Sequence, residues 1–228
     1  MFEFLFLDLD DTILDFGKAE SVAIEKTLIF AGIAPTQENK ALYSRINKAH
    51  WEMLERGEIT REALKVQRFA RLFEALGVDG DPARTAAEYV RLLGIGHYFL
   101  PGAEEAVANL SKKYRLFLAS NGIASVQKGR VTSANLYRFF EKAFVSEEIG
   151  ANKPSAEYFE RAFAQIPGFD KSKALIVGDS LTSDIRGGNN AGIATCWVNP
   201  TGKRRREDIH VDYEIKALSE LEALLEAL

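Results

Sequence analysis

Two apolar runs in this chain end in acid. Asp8, Asp10 and Asp11 follow Phe4-Leu5-Phe6-Leu7, and Asp179, with Asp184 five residues on, follows Leu175-Ile176-Val177-Gly178. In open α/β sheets the carboxyl ends of the strands line the ligand crevice, so acids at such ends sit where binding occurs. Asp8 and Asp10 are two residues apart and can share one side near a strand end. Like charges that close raise each other's pKa unless a cation neutralises them, and a hard, oxygen-ligated cation such as magnesium suits the task. The competing reading is that Asp10 or Asp11 caps the following turn. Thr12 can equally be turn structure. If a helix begins after Ser180, Asp184 falls near its first turn and can face back toward Asp179, an arrangement that suits a metal shell. The alternative there is a capping box, with Ser180 as the cap and Asp184 on the surface.

Two further stretches offer groups that suit a phosphate. Ser120-Asn121-Gly122 closes a third apolar run and presents a hydroxyl, an amide and a flexible backbone, hydrogen-bonding groups without bulk. The same three residues are also ordinary turn formers. Lys153, just ahead of Pro154, could bring a compact positive charge to both a phosphate and an attacking carboxylate. An isolated lysine is more often solvent-facing.

The elements that must position these groups follow from the hydrophobic pattern. Short, continuous apolar runs at 2–7, 114–119, 142–145, 174–177, 194–198 and 213–215 alternate, in the second half of the chain, with longer amphipathic segments. That alternation predicts parallel strands joined by helices, with both sheet faces covered. The expected fold is α/β, a doubly wound, mostly parallel, Rossmann-like sheet. After the first strand, no second one appears for about a hundred residues, far beyond an ordinary crossover. Segments 19–31, 37–54 and 60–76, and one opening at Asp81-Pro82, read as helices, with glycine at 32, 57 and 77 and a capping carboxylate before Pro82. The predicted division is a core of 1–16 and 96–228 around a helical insertion, 17–95. The insertion's Tyr43, Trp51, Phe69, Phe73 and Tyr89 are expected to pack its own core, with substrate contact the alternative for Trp51.

Composition narrows the class. The chain has 228 residues, 46% of them apolar and 27% charged, and a formal net charge of −4, so nothing favours nucleic acid or an anionic membrane as a partner. Lys203-Arg204-Arg205-Arg206 reads as a solvated turn. The single cysteine, Cys196, excludes an internal disulfide and reads as buried filler. His50, His97 and His210 are scattered and suggest no zinc site. With no apolar run long enough for a membrane span and no signal-like start, a cytoplasmic protein is expected.

The ordered set Asp8-Leu9-Asp10-Asp11-Thr12, Ser120-Asn121, Lys153-Pro154 and Gly178-Asp179-Ser180 through Asp184 resembles the four motifs of the haloacid dehalogenase superfamily. The helical insertion is similar to that superfamily's α-helical cap. The resemblance implies a magnesium-dependent phosphatase acting on a small phosphate monoester through an aspartyl-phosphate intermediate. It assigns Asp8 as nucleophile, and Asp10 as the acid that protonates the leaving oxygen and then activates water. It gives magnesium the Asp8 side chain, the Asp10 backbone carbonyl and Asp179, with Asp184 in or behind that shell. Ser120, Asn121 through its backbone, and Lys153 would hold the transferring group.

Within the superfamily, Ile46-Asn47-Lys48-Ala49-His50-Trp51, Gly57-Glu58-Ile59-Thr60, Val145-Ser146-Glu147-Glu148-Ile149-Gly150 and the stretch from Asn189 to Trp197 look most like bacterial pyrimidine 5′-nucleotidases regarded as house-cleaning enzymes. The alternatives are a sugar-phosphate phosphatase or a β-phosphoglucomutase-like mutase, which would share every residue above. A dehalogenase is disfavoured by Asp10, since halide departure needs no acid. An inactive binding module is disfavoured by the intact Asp8, Asp10, Lys153 and Asp179.

Overall fold

A computed structural model describes the backbone of residues 1–228 and every side chain except that of Glu55. Among the described residues, six strands form one sheet: β1 (Phe4–Leu7), β2 (Arg115–Ser120), β3 (Lys142–Val145), β4 (Ala174–Gly178), β5 (Ala194–Val198) and β6 (Tyr213–Ile215). Their spatial order is β3-β2-β1-β4-β5-β6 and every pairing is parallel. The chain therefore builds outward from β1 on one side and then returns to its other side at β4. That reversal opens a crevice at the carboxyl ends of the central strands.

The two-residue period of a strand decides which layer each side chain joins. Leu5 and Leu7 of β1 join Leu116, Leu118, Leu175 and Val177 under α5 (Ala103–Leu110) and α10 (Leu221–Glu226). Phe4 and Phe6 join Phe117, Phe144 and Ile176 on the opposite face, under α8 (Ala156–Phe163). Both faces of β1 are thus sealed, which holds its carboxyl end rigidly at the crevice floor. Cys196 lies in the first of these layers, and burial pushes its thiol up to about 12. The basic cluster is a solvated turn: Arg204 is almost wholly exposed, while Arg205 and Arg206 pair with Glu214 and Asp208.

The chain divides into two compact units, Met1–Phe16 with His97–Leu228, and Gly17–Gly96. The second contains most of α1 (Phe16–Phe30), then α2 (Gln37–Glu55), α3 (Arg61–Leu76) and α4 (Pro82–Leu93). Thr36, Thr60 and Asp81 cap the last three through their side-chain oxygens, and Gly77 ends α3 in the left-handed region. Tyr43, Phe69 and Tyr89 are buried and meet in one aromatic cluster, with ring centroids 5.2–5.5 Å apart. Trp51 is half-buried, with the Arg61 guanidinium 5.8 Å from its ring. Helix α1 begins at residue 16, three residues before the apolar period predicts. Its first amide, at Phe16, donates to the Asp11 carboxylate at 3.0 Å, so an acid of the first motif starts the helix. No helix among the described residues is long and apolar enough to cross a membrane.

Candidate active site

Asp8 is the first residue past β1, and its backbone N–H still donates to Val177 of β4 at 2.9 Å, so the sheet ladder fixes its backbone. The next six residues fold into a tight turn. Ile13 and Leu14 both return their N–H groups to the Leu9 carbonyl, and Asp11 sits at φ 57°, a left-handed conformation that aspartate tolerates better than most side chains. The expected alternative of a capping acid therefore holds for Asp11, which receives Phe16, and not for Asp10. Thr12 is buried, and its hydroxyl finds no hydrogen-bond partner among the described residues.

Lys153 brings three strand ends together. Its ammonium donates to Asp8 Oδ1 at 2.7 Å, to Asp184 Oδ1 at 2.5 Å and to the Ala119 carbonyl of β2 at 2.5 Å, and it is buried. The solvent-facing alternative for this lysine is excluded. Its loop is held by Asn121, whose side-chain carbonyl accepts the Lys153 N–H while its amide donates to the Lys153 carbonyl, both at 2.8 Å. The Asn121 side chain is thus engaged by the neighbouring loop, and its amide also reaches Ser183 Oγ at 3.2 Å, while the Gly122 N–H donates to Ser120 Oγ at 3.1 Å.

Asp184 satisfies parts of both sequence readings. Ser180 does cap the turn Leu181–Ile185, accepting the Ser183 amide at 3.2 Å, yet Asp184 points inward rather than to the surface. Its Oδ1 meets Lys153 and its Oδ2 accepts the Ser180 amide at 3.1 Å. Gly178 makes this inward pose fit, because a Cβ there would lie 2.2 Å from Asp184 Oδ2. Asp179 is anchored through its carbonyl, which accepts the indole N–H of buried Trp197 at 2.8 Å.

Carboxylate oxygens of Asp8, Asp179 and Asp184 lie within 4.8 Å of one another. One ammonium does not neutralise three acids at that range. Burial pushes the Asp8 carboxyl well above the usual carboxylate range; Lys153 opposes this, and Asp184, Asp10 and Asp179 add to it. Burial, then Asp184 and Asp11, push Asp179 up to about 7. Burial alone would lower the Lys153 ammonium, but Asp184 and Asp8 overcome it and hold the group charged. A pocket of oxygen donors with uncompensated negative charge fits a hard divalent cation.

Asp10 turns toward helix α6 (Ala124–Ser133), where sequence reasoning placed nothing. Gln127 Nε2 donates to Asp10 Oδ2 at 2.7 Å and to Ser120 Oγ at 2.8 Å, and Arg130 Nη1 donates to Asp10 Oδ1. A signal existed: a glutamine and an arginine three apart, on one helix face, directly after the Ser120 turn.

The chain as a whole has counterparts among known proteins. The pyrimidine 5′-nucleotidase PynA of Streptococcus pneumoniae is 39% identical over 221 residues, 96% of this chain and 93% of its own. The pyrimidine 5′-nucleotidase YjjG of Escherichia coli is 30% identical, over 98% of this chain and 97% of its own. The magnesium-bound crystal structure of the HAD-hydrolase YfnB from Bacillus subtilis matches with a TM-score of 0.92 at 39% identity, over 98% of both chains. The family model for haloacid dehalogenase-like hydrolases matches residues 5–198, a span that takes in every strand end contributing to the acid and lysine cluster. On that match and these full-length likenesses, the chain belongs to the haloacid dehalogenase-like hydrolases.

Proposed function

We propose that the protein is a magnesium-dependent phosphatase that hydrolyses nucleoside 5′-monophosphates, pyrimidine nucleotides foremost, through an aspartyl-phosphate on Asp8. The observation that carries this reading is the buried Lys153 ammonium, bonded to Asp8 and Asp184 at the carboxyl edge of the sheet with Asp179 alongside. The pyrimidine preference draws on PynA and YjjG, both named as pyrimidine 5′-nucleotidases.

In this reading an Asp8 carboxylate oxygen attacks phosphorus, the P–O ester bond breaks, and Asp10 gives its proton to the departing alkoxide. Water then attacks the aspartyl-phosphate, Asp10 takes a proton from it, and the P–O bond to Asp8 breaks to release inorganic phosphate. Lys153, Ser120 and the 121–122 backbone hold the phosphoryl oxygens and keep the nucleophile in line. The side chains of Asp8 and Asp179, with the Asp10 backbone carbonyl, would hold magnesium, with Asp184 behind them. Magnesium bound there supplies positive charge that lets a carboxylate approach an anionic phosphate. Residues 17–95 would form the α-helical cap domain.

A phosphate-release screen over nucleoside monophosphates and sugar phosphates, with and without magnesium, tests this. Pyrimidine 5′-monophosphates should lead by about tenfold or more, a margin within reach of a few well-made polar contacts. Equal turnover of sugar phosphates removes the substrate class and leaves the phosphatase. Asp8→Asn should abolish turnover, and undiminished activity in that variant would falsify the nucleophile assignment.

A further inference from the structure

Both oxygens of the Asp10 carboxylate are taken by donors from one helix, Arg130 Nη1 on Oδ1 and Gln127 Nε2 on Oδ2. These donors are themselves held. Arg130 Nη1 also reaches Gln127 Oε1 at 3.3 Å, the Arg130 guanidinium lies 5.8 Å from the Phe16 ring, and both side chains are buried. Gly122 keeps their path open, because a Cβ at that position would lie 2.3 Å from Gln127 Nε2. The same Gln127 amide touches Ser120 Oγ at 2.8 Å, so one side chain links the serine to the acid. A carboxylate on a turn has two soft torsions, and two donors from a fixed direction remove both.

We infer that Arg130 and Gln127 are positioning residues: they aim the Asp10 carboxylate and, through Gln127, couple its pose to Ser120. This rests on the function proposed above, in which Asp10 transfers protons at the ester oxygen and Ser120 holds the transferring group. Both act through the side chains they hold, Asp10 and Ser120. A proton transfer of this kind is sensitive to placement, and displacement of about 1 Å is enough to cost orders of magnitude.

The test compares two substrates in kcat/KM. A pyrimidine nucleoside 5′-monophosphate leaves as an alkoxide and needs the proton; p-nitrophenyl phosphate leaves as a stable phenolate and does not. Arg130→Met should lower kcat/KM for the nucleotide by about 10- to 100-fold and for the aryl ester by less than about threefold. Gln127→Met, a near-isosteric change that carries the test if Arg130→Met does not fold, should show the same selectivity at about 3- to 10-fold. Arg130→Lys, which retains a cation, should recover part of the nucleotide activity. Equal losses on both substrates, or no loss on either, overturn the inference. Asp10→Asn separates this failure from failure of the underlying reading. If Asp10→Asn is selective for the nucleotide and the Arg130 and Gln127 variants are not, only the positioning inference falls. If Asp10→Asn is itself unselective, the acid role falls with it.

Discussion

Each unit of the molecule buries an arginine, and the two are housed in opposite ways. Arg130, in the sheet unit, is fully buried against the Asp10 carboxylate. Arg68, in the helical unit, is equally buried, yet no carboxylate among the described residues pairs with it. Its Nη1 donates to the Asn47 side-chain carbonyl at 2.9 Å, its guanidinium lies 4.7 Å from the Tyr89 ring and 5.5 Å from that of Phe69, and its Nε and Nη2 make no hydrogen bond among the described residues. Asn47 in turn donates to Glu20 at 2.7 Å, so an amide links this arginine to an acid. The comparison teaches where buried charge is interdependent. In the sheet unit, deleting one charge strands another. In the helical unit, an apolar replacement loses aromatic and amide contacts but also removes donors that meet no partner among the described residues.

Lys153→Met should break the molecule hardest. It leaves Asp8 and Asp184 buried without their cation, and stranding buried charge typically costs about 3–5 kcal/mol, with turnover lost as well. Urea denaturation of the metal-free protein, paired with phosphate release, measures both; unchanged stability would show that the acids do not depend on this lysine.

A second effect concerns pH in the metal-free protein. With Asp179 at about 7 in the folded chain and an ordinary value of 3.8, the folded state holds a proton that the unfolded state has already released. The stability tied to that proton is complete below the ordinary value and is lost as pH climbs through 7. At most about 4 kcal/mol disappears across this window, at 1.36 kcal/mol per unit. The wild-type stability-versus-pH curve should therefore fall more steeply than that of Asp179→Asn, and magnesium should flatten it. Parallel curves would remove the crowding of acids from the account.

The smallest effect sharpens the comparison from the other side. Arg68→Met should change stability by less than about 1 kcal/mol, or raise it, because an apolar side chain of similar length replaces a cation whose Nε and Nη2 are unmet among the described residues. A loss above about 2 kcal/mol in thermal or urea unfolding would mean that the aromatic and amide setting supports that charge as well as a carboxylate does.

Much of this was legible in the sequence, for a physical reason. Strands with both faces covered read as continuous apolar runs, so β3, β5 and β6 fall where the pattern predicts. The end of such a run is also the edge of the sheet, which is why Asp8, Ser120 and Asp179 stood out as site residues. The start of α1 was not legible, because a carboxylate in a turn captures the Phe16 amide and no period records that. Asp184 was ambiguous because its spacing allows either a surface pose or an inward one, and the missing Cβ of Gly178 makes room for the second. Gln127 and Arg130 escaped notice because their partner lies 117 and 120 residues away, and only the packing of α6 beside the first turn unites them.

The grip of Asn121 on Lys153 has one more consequence. A side-chain amide has the outline of a peptide group, and here it pairs with the N–H and C=O of a single residue, as a neighbouring strand would. The lattice of the sheet thereby gains a rung beyond the carboxyl end of β2, and the lysine arrives on a loop tied to that strand. Aspartate lacks the donor for such a rung and glutamine is one methylene too long. The 2.7 Å separation of the Asp8 carboxylate and the Lys153 ammonium is accordingly supported from the loop's backbone as well as by the attraction of the two charges.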